Sequence, residues 1–252
     1  MKLIKIIPGP LLVFLGAFCL SFGGLIVKSF YHSGLSGFIG GFVLSIGFSA
    51  YVFSMYNTTV ANANFIITTE TIFLAVFGYF FLKEKINLIT FISIIIGMSG
   101  VLLILGGSLS TQSSEQFIGN IVAFLTPISF VILVIIIRKS PNVDMVPAQF
   151  TAGVFTVIIG YFIVGKLSIS LHDLFLALSA GFFQIGLGFI LITIGSQTTP
   201  SAVVGVLMLT EAVFGPLWAW LLINETPPIS VIIGGGIIIF SILLQSFYGK
   251  KN

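Results

Sequence analysis

Charge is what this sequence has least of. Ten of its 252 residues are Lys or Arg and seven are Asp or Glu, 7% together. Soluble domains carry about 25%, so an ordinary water-soluble fold is excluded. The basic residues are too few and too scattered for a nucleic-acid surface. There is one cysteine, Cys19, which excludes an intramolecular disulfide. The two histidines, His32 and His172, stand far apart, and there is neither an HExxH spacing nor a Cys/His cluster. No metal site and no cofactor are therefore expected. No Walker motif occurs, so ATP is not indicated as an energy source.

What is present is apolar. The chain is 57% hydrophobic, with 27 Phe and 28 Gly, and its mean hydropathy is +1.21. About 20 apolar residues cross a bilayer as a helix. Nine such runs are found, at 10–31, 35–57, 61–82, 87–107, 117–137, 147–165, 174–194, 200–223 and 229–248. The start, "MKLIKIIPGPLLVFLGAFCLSFGG", has the look of a signal peptide. However, Phe18 before Cys19 breaks a lipoprotein-type site and the run is long enough to span, so it reads as a retained helix. The expected fold is an all-α polytopic membrane bundle of about nine transmembrane helices, with no soluble domain. The polar stretch "GSLSTQSSEQ" (107–116) marks the border between two halves. Residues 1–107 form the first unit, 108–116 the linker, 117–248 the second unit and 249–252 a tail.

The halves are copies of one another. "TTVANANFIITTETIFLAVFGYFFLKE" (58–84) aligns without a gap on "TPSAVVGVLMLTEAVFGPLWAWLLINE" (199–225). Thr58 falls on Thr199, Ala61 on Ala202, Glu70 on Glu211, Phe73 on Phe214 and Glu84 on Glu225, each pair 141 apart. Earlier in the chain, "LSFGGLIVKS" resembles "ISFVILVIIIRKS", with Lys28 on Lys139, an offset of 111. The difference, 141 − 111 = 30, is about one helix and a turn. The first unit therefore has about four helices and the second five. The run 147–165 has no counterpart between 31 and 35.

Orientation follows from Lys and Arg at the ends of the runs. With nine spans, Lys28, Lys83, Lys85, Arg138, Lys139, Lys250 and Lys251 fall on one side, and Lys2, Lys5 and Lys166 on the other. The C-terminus is expected in the cytoplasm and the N-terminus outside.

These paired segments carry a resemblance. "NTTVANANFIITTETIFLAVFGYFFLKE" followed by "INLITFISIIIGMSGVLLILGG" resembles the fourth and fifth helices of an EamA-type unit of the drug/metabolite transporter superfamily. "TTPSAVVGVLMLTEAVFGPLWAWLLINETPPISVIIGGGIII" resembles its ninth and tenth. The resemblance implies two inverted five-helix repeats and alternating-access movement of small metabolites, such as amino acids, mostly outward. The missing span corresponds to that family's second helix, which helps line the central cavity. A non-transporting paralogue, acting as a structural or regulatory membrane partner, is the alternative. An enzyme is not expected, because neither histidine has a nearby nucleophile. The expected setting is the inner or plasma membrane, with a small-molecule substrate and lipid as partners. A homodimer is compatible with this.

The candidate cavity residues are Glu70, Glu211, Phe73, Phe77, Phe214, Trp218 and Gln184. On a helix, Glu70 shares its face with Ala63, Ile66, Ile67, Phe73, Leu74 and Phe77. Glu211 shares its face with Val204, Leu207, Met208, Phe214, Gly215 and Trp218. A lone charge in hydrocarbon costs roughly 2.5–3.5 kcal/mol on insertion scales. Two readings stay open for each acid: a cavity group that carries a proton or pairs with a substrate amine, or a protonated acid bonded to a neighbouring helix, with Thr69, Thr71 and Thr210 at hand. Trp218 beside Glu211 would suit an amine through cation–π contact; otherwise Trp218, Trp220, Tyr51, Tyr56 and Tyr79 read as packing or interface residues. Gln184, mid-helix among glycines, is a further cavity candidate. Glu84 and Glu225 stand at helix ends and read as caps of a following helix. Asn57, Asn62 and Asn64, and Gln197, Thr198 and Thr199, read first as groups that satisfy helix ends. "SGLSGFIGG" and "IIGGGIII" read as close helix packing.

Overall fold

A computed structural model describes residues 23–58, 60–105, 114–163, 178–224 and 226–249. Most of the expected first helix, Cys19, His172, Glu225, Lys166, the two C-terminal lysines and most of the linker lie outside the described residues. All regular structure described is helical, as hydrocarbon demands: each backbone N–H and C=O must be satisfied within its own segment. Five helices are long and apolar enough to cross a membrane: Gly34–Asn57, Asn62–Leu82, Gln116–Lys139, Ser201–Trp218 and Ile229–Tyr248. Three shorter apolar helices, Leu88–Ile104, Pro147–Phe162 and Ala180–Ser196, each end within three residues of the undescribed stretches. These eight occupy the eight runs expected after residue 34.

In chain order the helices are α1 (Gly23–Asn57), α2 (Val60–Thr68), α3 (Glu70–Leu82), α4 (Leu88–Leu105), α5 (Ser114–Ala123), α6 (Leu125–Lys139) and α7 (Pro147–Ile163). A π-helical segment, Ala180–Leu187, then runs into α8 (Gly188–Ser196), followed by α9 (Ser201–Met208), α10 (Thr210–Ile223) and α11 (Ile229–Tyr248). Two runs expected to be separate meet inside α1. Gly34, at φ 51° and ψ −149°, breaks it into two helices at a single residue, a conformation that glycine adopts at little cost. α5 starts at Ser114, three residues before the expected 117, and yields to α6 at Phe124. The cause is Pro127, which has no N–H to give the carbonyl four residues back.

α1 packs on α6 and α7, α3 on α6 and α9, and α4 on α11. All of these pairings join one repeat to the other; those of α3 with α9 and α4 with α11 show most plainly how. Three apolar clusters result: Leu44, Leu133, Ile137, Met145, Ala148 and Ala152; Leu74, Phe130, Val131, Val134, Ile135 and Val204; and Ala75, Ile94, Met98, Val101, Ala202, Val206, Leu209 and Ile238. Apolar area drives little association between helices in lipid; close approach and interhelical hydrogen bonds do. The α4–α11 crossing shows this. A Cβ on Gly100 would lie 2.7 Å from the Gly234 carbonyl oxygen, and one on Gly234 would lie 2.7 Å from that of Gly100. Lower down, Ser241 donates to the Ser93 carbonyl at 2.7 Å. At the α3–α9 crossing, Thr71 Oγ1 donates to the Gly205 carbonyl at 3.0 Å.

Three stability outcomes follow from these crossings, all read as detergent thermal unfolding. Gly234→Ala is expected to cost about 1–3 kcal/mol, because its methyl has only backbone and Ile104 to displace. Gly236→Ala, with nothing within 4 Å of its Cβ, is expected to stay within about 0.5 kcal/mol of wild type. Thr71→Val removes one buried hydrogen bond between repeats and is expected to cost roughly 0.5–1.5 kcal/mol.

Candidate functional site

Both expected acids stand at interruptions of their spans. α2 ends at Thr68 and α3 begins at Glu70; between them Thr69 N–H bonds the Ile66 carbonyl at 3.1 Å. In the second repeat α9 ends at Met208 and α10 begins at Thr210; Leu209 N–H bonds the Val206 carbonyl at 3.3 Å. Each is a single tight turn of the kind that closes i to i−3. Glu70 and Glu211 thus lie just past a one-residue tightening of spans that otherwise run on as single helices. No proline or glycine marks either interruption in the sequence.

The neighbouring threonines do not serve the acids. Thr68 Oγ1 donates to the Phe65 carbonyl at 2.7 Å, Thr69 Oγ1 to the Ile66 carbonyl at 2.5 Å and Thr71 Oγ1 across to Gly205. Glu70 is 7% exposed and has no hydrogen-bond partner among the described residues. Glu211 is exposed. Glu70 and Glu211 lie within electrostatic range of one another, and Tyr51 lies within range of Glu211. Tyr51, read from the sequence as a packing residue, therefore belongs with the acids.

A second contact fixes how the repeats face each other. Phe48 and Phe189 are 141 residues apart, the same offset as Glu70 and Glu211, and their rings meet edge to face at 5.0 Å. Residues related by the duplication touch only near its axis, so the axis passes by Phe48 and Phe189. Tyr51 is one helical turn beyond Phe48 on α1. Phe189 also meets Phe130 at 6.1 Å, joining the two apolar clusters that flank the axis.

The aromatic candidates divide. Phe73 and Phe77 are half-buried against the cluster around Leu74 and Val134, with ring centroids 6.3 Å apart. Phe77 stacks on Phe81 at 5.6 Å, and Lys139 Nζ stands 5.6 Å from the Phe81 centroid. Phe214 and Trp218, 6.2 Å apart, are both exposed, one and two turns beyond Glu211 on its face. Gln184 is exposed in the π-helical segment and makes no hydrogen bond to either acid.

The helix-end groups have definite partners. Glu84 does cap a helix, but not the next one in sequence. Its Oε2 accepts from the Ser201 N–H at 2.8 Å, at the start of α9 in the other repeat. Its Oε1 accepts from Arg138 Nη2 at 2.6 Å and Nε at 2.9 Å, and Arg138 Nη1 donates to the Gln197 carbonyl at 2.9 Å. Gln197 Nε2 lies 3.4 Å from the Val143 carbonyl, to which it donates. At the opposite end, Thr58 Oγ1 donates to Asn120 Oδ1 at 2.6 Å and Asn57 Nδ2 to the Phe53 carbonyl at 2.7 Å; Asn64 is exposed. Arg138 and Asn120 were not singled out as site residues because their partners lie 54 and 62 residues away, beyond any local pattern. Among the described residues no group of His, Cys, Asp and Glu is placed to hold a metal ion.

Comparison with known proteins agrees with this architecture. A solved chain described only as "Crystal structure of protein" superposes with a TM-score of 0.69 at 13% identity, covering 90% of this chain and 94% of that one. It supports the helical fold alone. An "Uncharacterized transporter" of Methanothermobacter thermautotrophicus is 27% identical over 201 residues, which are 77% of this chain and 59% of that protein. The chain thus spans well under two thirds of that relative's length. An "Uncharacterized transporter" of Clostridium kluyveri is 25% identical over 218 residues, 82% of this chain and 70% of that protein. The profile of the EamA-like transporter family matches residues 10–106 and 114–247. This multi-pass membrane protein belongs to the EamA-like transporter family.

Proposed function

We propose that the chain is a secondary transporter that moves small organic metabolites, amino acids among them, across the cell membrane by alternating access, as an exporter or an exchanger. The observation that carries this reading is that Glu70 and Glu211, related by the duplication, stand within electrostatic range of one another, each at a tightened turn in mid-span. Repeat-built transporters place their sites near the midplane, where interrupted helices turn their ends toward the cargo. An exposed acid in mid-span faces either lipid or a polar hollow. Facing lipid costs a few kcal/mol, so the hollow is favoured, with Tyr51 and Glu70 as its polar wall. Two neighbouring carboxylates repel when both are charged, and the repulsion is strong where water is scarce. A proton or a substrate ammonium between them removes it. Phe214 and Trp218 offer aromatic faces beside Glu211 to such a cation. The driving force is an ion gradient or the substrate's own. The end that carries Lys83, Lys85, Arg138 and Lys139 faces the cytoplasm by the positive-inside rule.

One observation favours a second reading. The family profile matches 10–106 in the first half against 114–247 in the second, which supports a shorter first repeat. A non-transporting partner protein would tolerate that loss. It would bind no small molecule when purified, yet pair stably with another membrane protein.

The test compares metabolites in the medium of cells with wild type, Glu70→Gln and Glu211→Gln at equal membrane levels. One compound class is expected to accumulate outside for wild type. Its export should fall about 10–100-fold in either variant, the range that losing a charged hydrogen bond produces. If no compound in a broad panel separates wild type from empty cells, the transport reading is wrong.

A further inference from the structure

We propose that the Glu84–Arg138 clasp is a gate, and that its release opens the space in front of Glu70 to the Lys/Arg-rich end of the bundle. The inference rests on the transport reading and adds to it where one side closes. The clasp gathers four segments at one end: the chain after α3, the last turn of α6, the end of α8 and the first N–H of α9. All three bonds made by the Glu84 side chain cross from the first repeat to the second. The bonded side chains are shielded but not sealed, with 21% of Arg138 and 17% of Glu84 exposed. Water at that end can therefore compete for the pair once the helices part.

The local backbone is built to present Glu84. Lys83 turns left-handed at φ 57°, and its N–H folds back on the Gly78 carbonyl, which Glu84 N–H also reaches at 3.2 Å. Gly78 leaves the room: a Cβ there would lie 3.2 Å from Glu84 Oε2 and 3.0 Å from Ser201 Cβ. The second repeat makes the same turn at Asn224, again φ 57° and 141 residues on. The offset of 111 that sets Lys28 on Lys139 sets Val27 opposite Arg138, so the sequence supplies no guanidinium for a matching clasp. The tie between repeats at the other end is instead neutral, Thr58 to Asn120. The ends of the bundle are thus held unequally, one by charge and one by a hydroxyl.

Two further observations place a path behind the clasp. Glu70, Phe73, Phe77 and Phe81 form one stripe of α3 that leads from the acid to Glu84. Two buried polar atoms have no partner: Ser201 Oγ, on the residue whose N–H Glu84 accepts, and Gln149 Oε1, on a side chain that donates to Thr193, one turn before Gln197, at 2.8 Å. Closed, the gate leaves them unsatisfied, which is costly. Opened, it gives them water. A static packing joint would have no use for such atoms at its edge.

The test uses the full chain with Cys19→Ser and a single reporter, Ser196→Cys. Ser196 is 2% exposed and adjoins the Gln197 carbonyl that Arg138 holds. An impermeant maleimide is applied to sealed vesicles of each orientation, and solute flux is followed in parallel. Glu84→Gln keeps an oxygen for the Ser201 N–H but loses the charge. It is expected to speed labelling about tenfold from the Lys/Arg-rich end alone, as loss of a charge-assisted hydrogen bond would. Asn120→Ala, at the other end, is expected to leave that rate at the wild-type value. Unchanged labelling in Glu84→Gln overturns the gate, as does an equal rise in Asn120→Ala, which would mean general loosening. If Glu84→Gln does not accumulate, Arg138→Lys is read instead; it keeps the charge and loses the two-nitrogen grip, and unchanged labelling again overturns the gate. Unchanged labelling with flux intact removes the gate and leaves the transport reading. Raised labelling in a chain that moves no solute removes the transport reading instead.

Discussion

The packing of α3 on α9 is the contact on which the rest depends. The two run antiparallel, with Thr71 at Gly205, Ala75 beside Ala202 and Gly78 at Ser201. At two of these levels a glycine gives the clearance: a Cβ on Gly205 would lie 2.8 Å from Thr71 Cα. Lipid tails are as apolar as leucine, so such crossings are held by contact and hydrogen bonding rather than by exclusion of water. Because the crossing joins the repeats, it sets the distance between everything they carry. It brings Glu70 toward Glu211 at one level and Glu84 to the α9 N-terminus at another. Widening it would separate both.

The same crossing explains why Glu70 has no partner. The hydroxyls near it are committed elsewhere, two to carbonyls of their own helix and one to Gly205. Back-bonding of this kind helps satisfy a tightened turn, and the carboxylate stands just past that turn. Packing glue would look different: the acid would donate to a neighbouring helix, as Ser241 does to Ser93. A buried acid left free of the framework is available to something that is not part of it.

The gross fold was open to reading because hydropathy and helix length are local properties. The duplication was open too, since Glu70 and Glu211 stand out in so charge-poor a chain. Partner choice was not. Glu84 was legible as a cap by its place after an apolar run, but the α9 N-terminus it serves is 117 residues away. Tyr51 carries no signal beyond being one of six tyrosines; only the axis, seen through Phe48 and Phe189, gives it a place. The interruptions at Thr69 and Leu209 use ordinary helix formers or near-neutral residues, so propensity gives no warning of them. Gly34 did mark its break, as a positive-φ glycine should.

The proposed shortness of the first repeat also has a structural trace. On α1, Gly40, Gly41 and Leu44 are buried, and a Cβ on Gly41 would lie 2.5 Å from Ala148 O and Thr151 Cβ of α7. Adding 141 carries these positions to Gly181, Phe182 and Ile185 in the π-helical segment. All three are exposed, a Cβ on Gly181 would meet nothing within 4 Å, and no residue of Ala180–Leu187 is buried. The helix that would sit there by the symmetry of the repeats is the counterpart of α7, the one missing on the proposal that the first repeat is a helix short. The seat was duplicated and, among the described residues, its occupant was not. The proposed loss of one helix would account for both the offset of 111 and the bare face on Ala180–Leu187. It also leaves the α3–α9 crossing, the acids and the clasp untouched, because each of them is built from helices that both repeats retain or from α6, whose counterpart precedes the lost span.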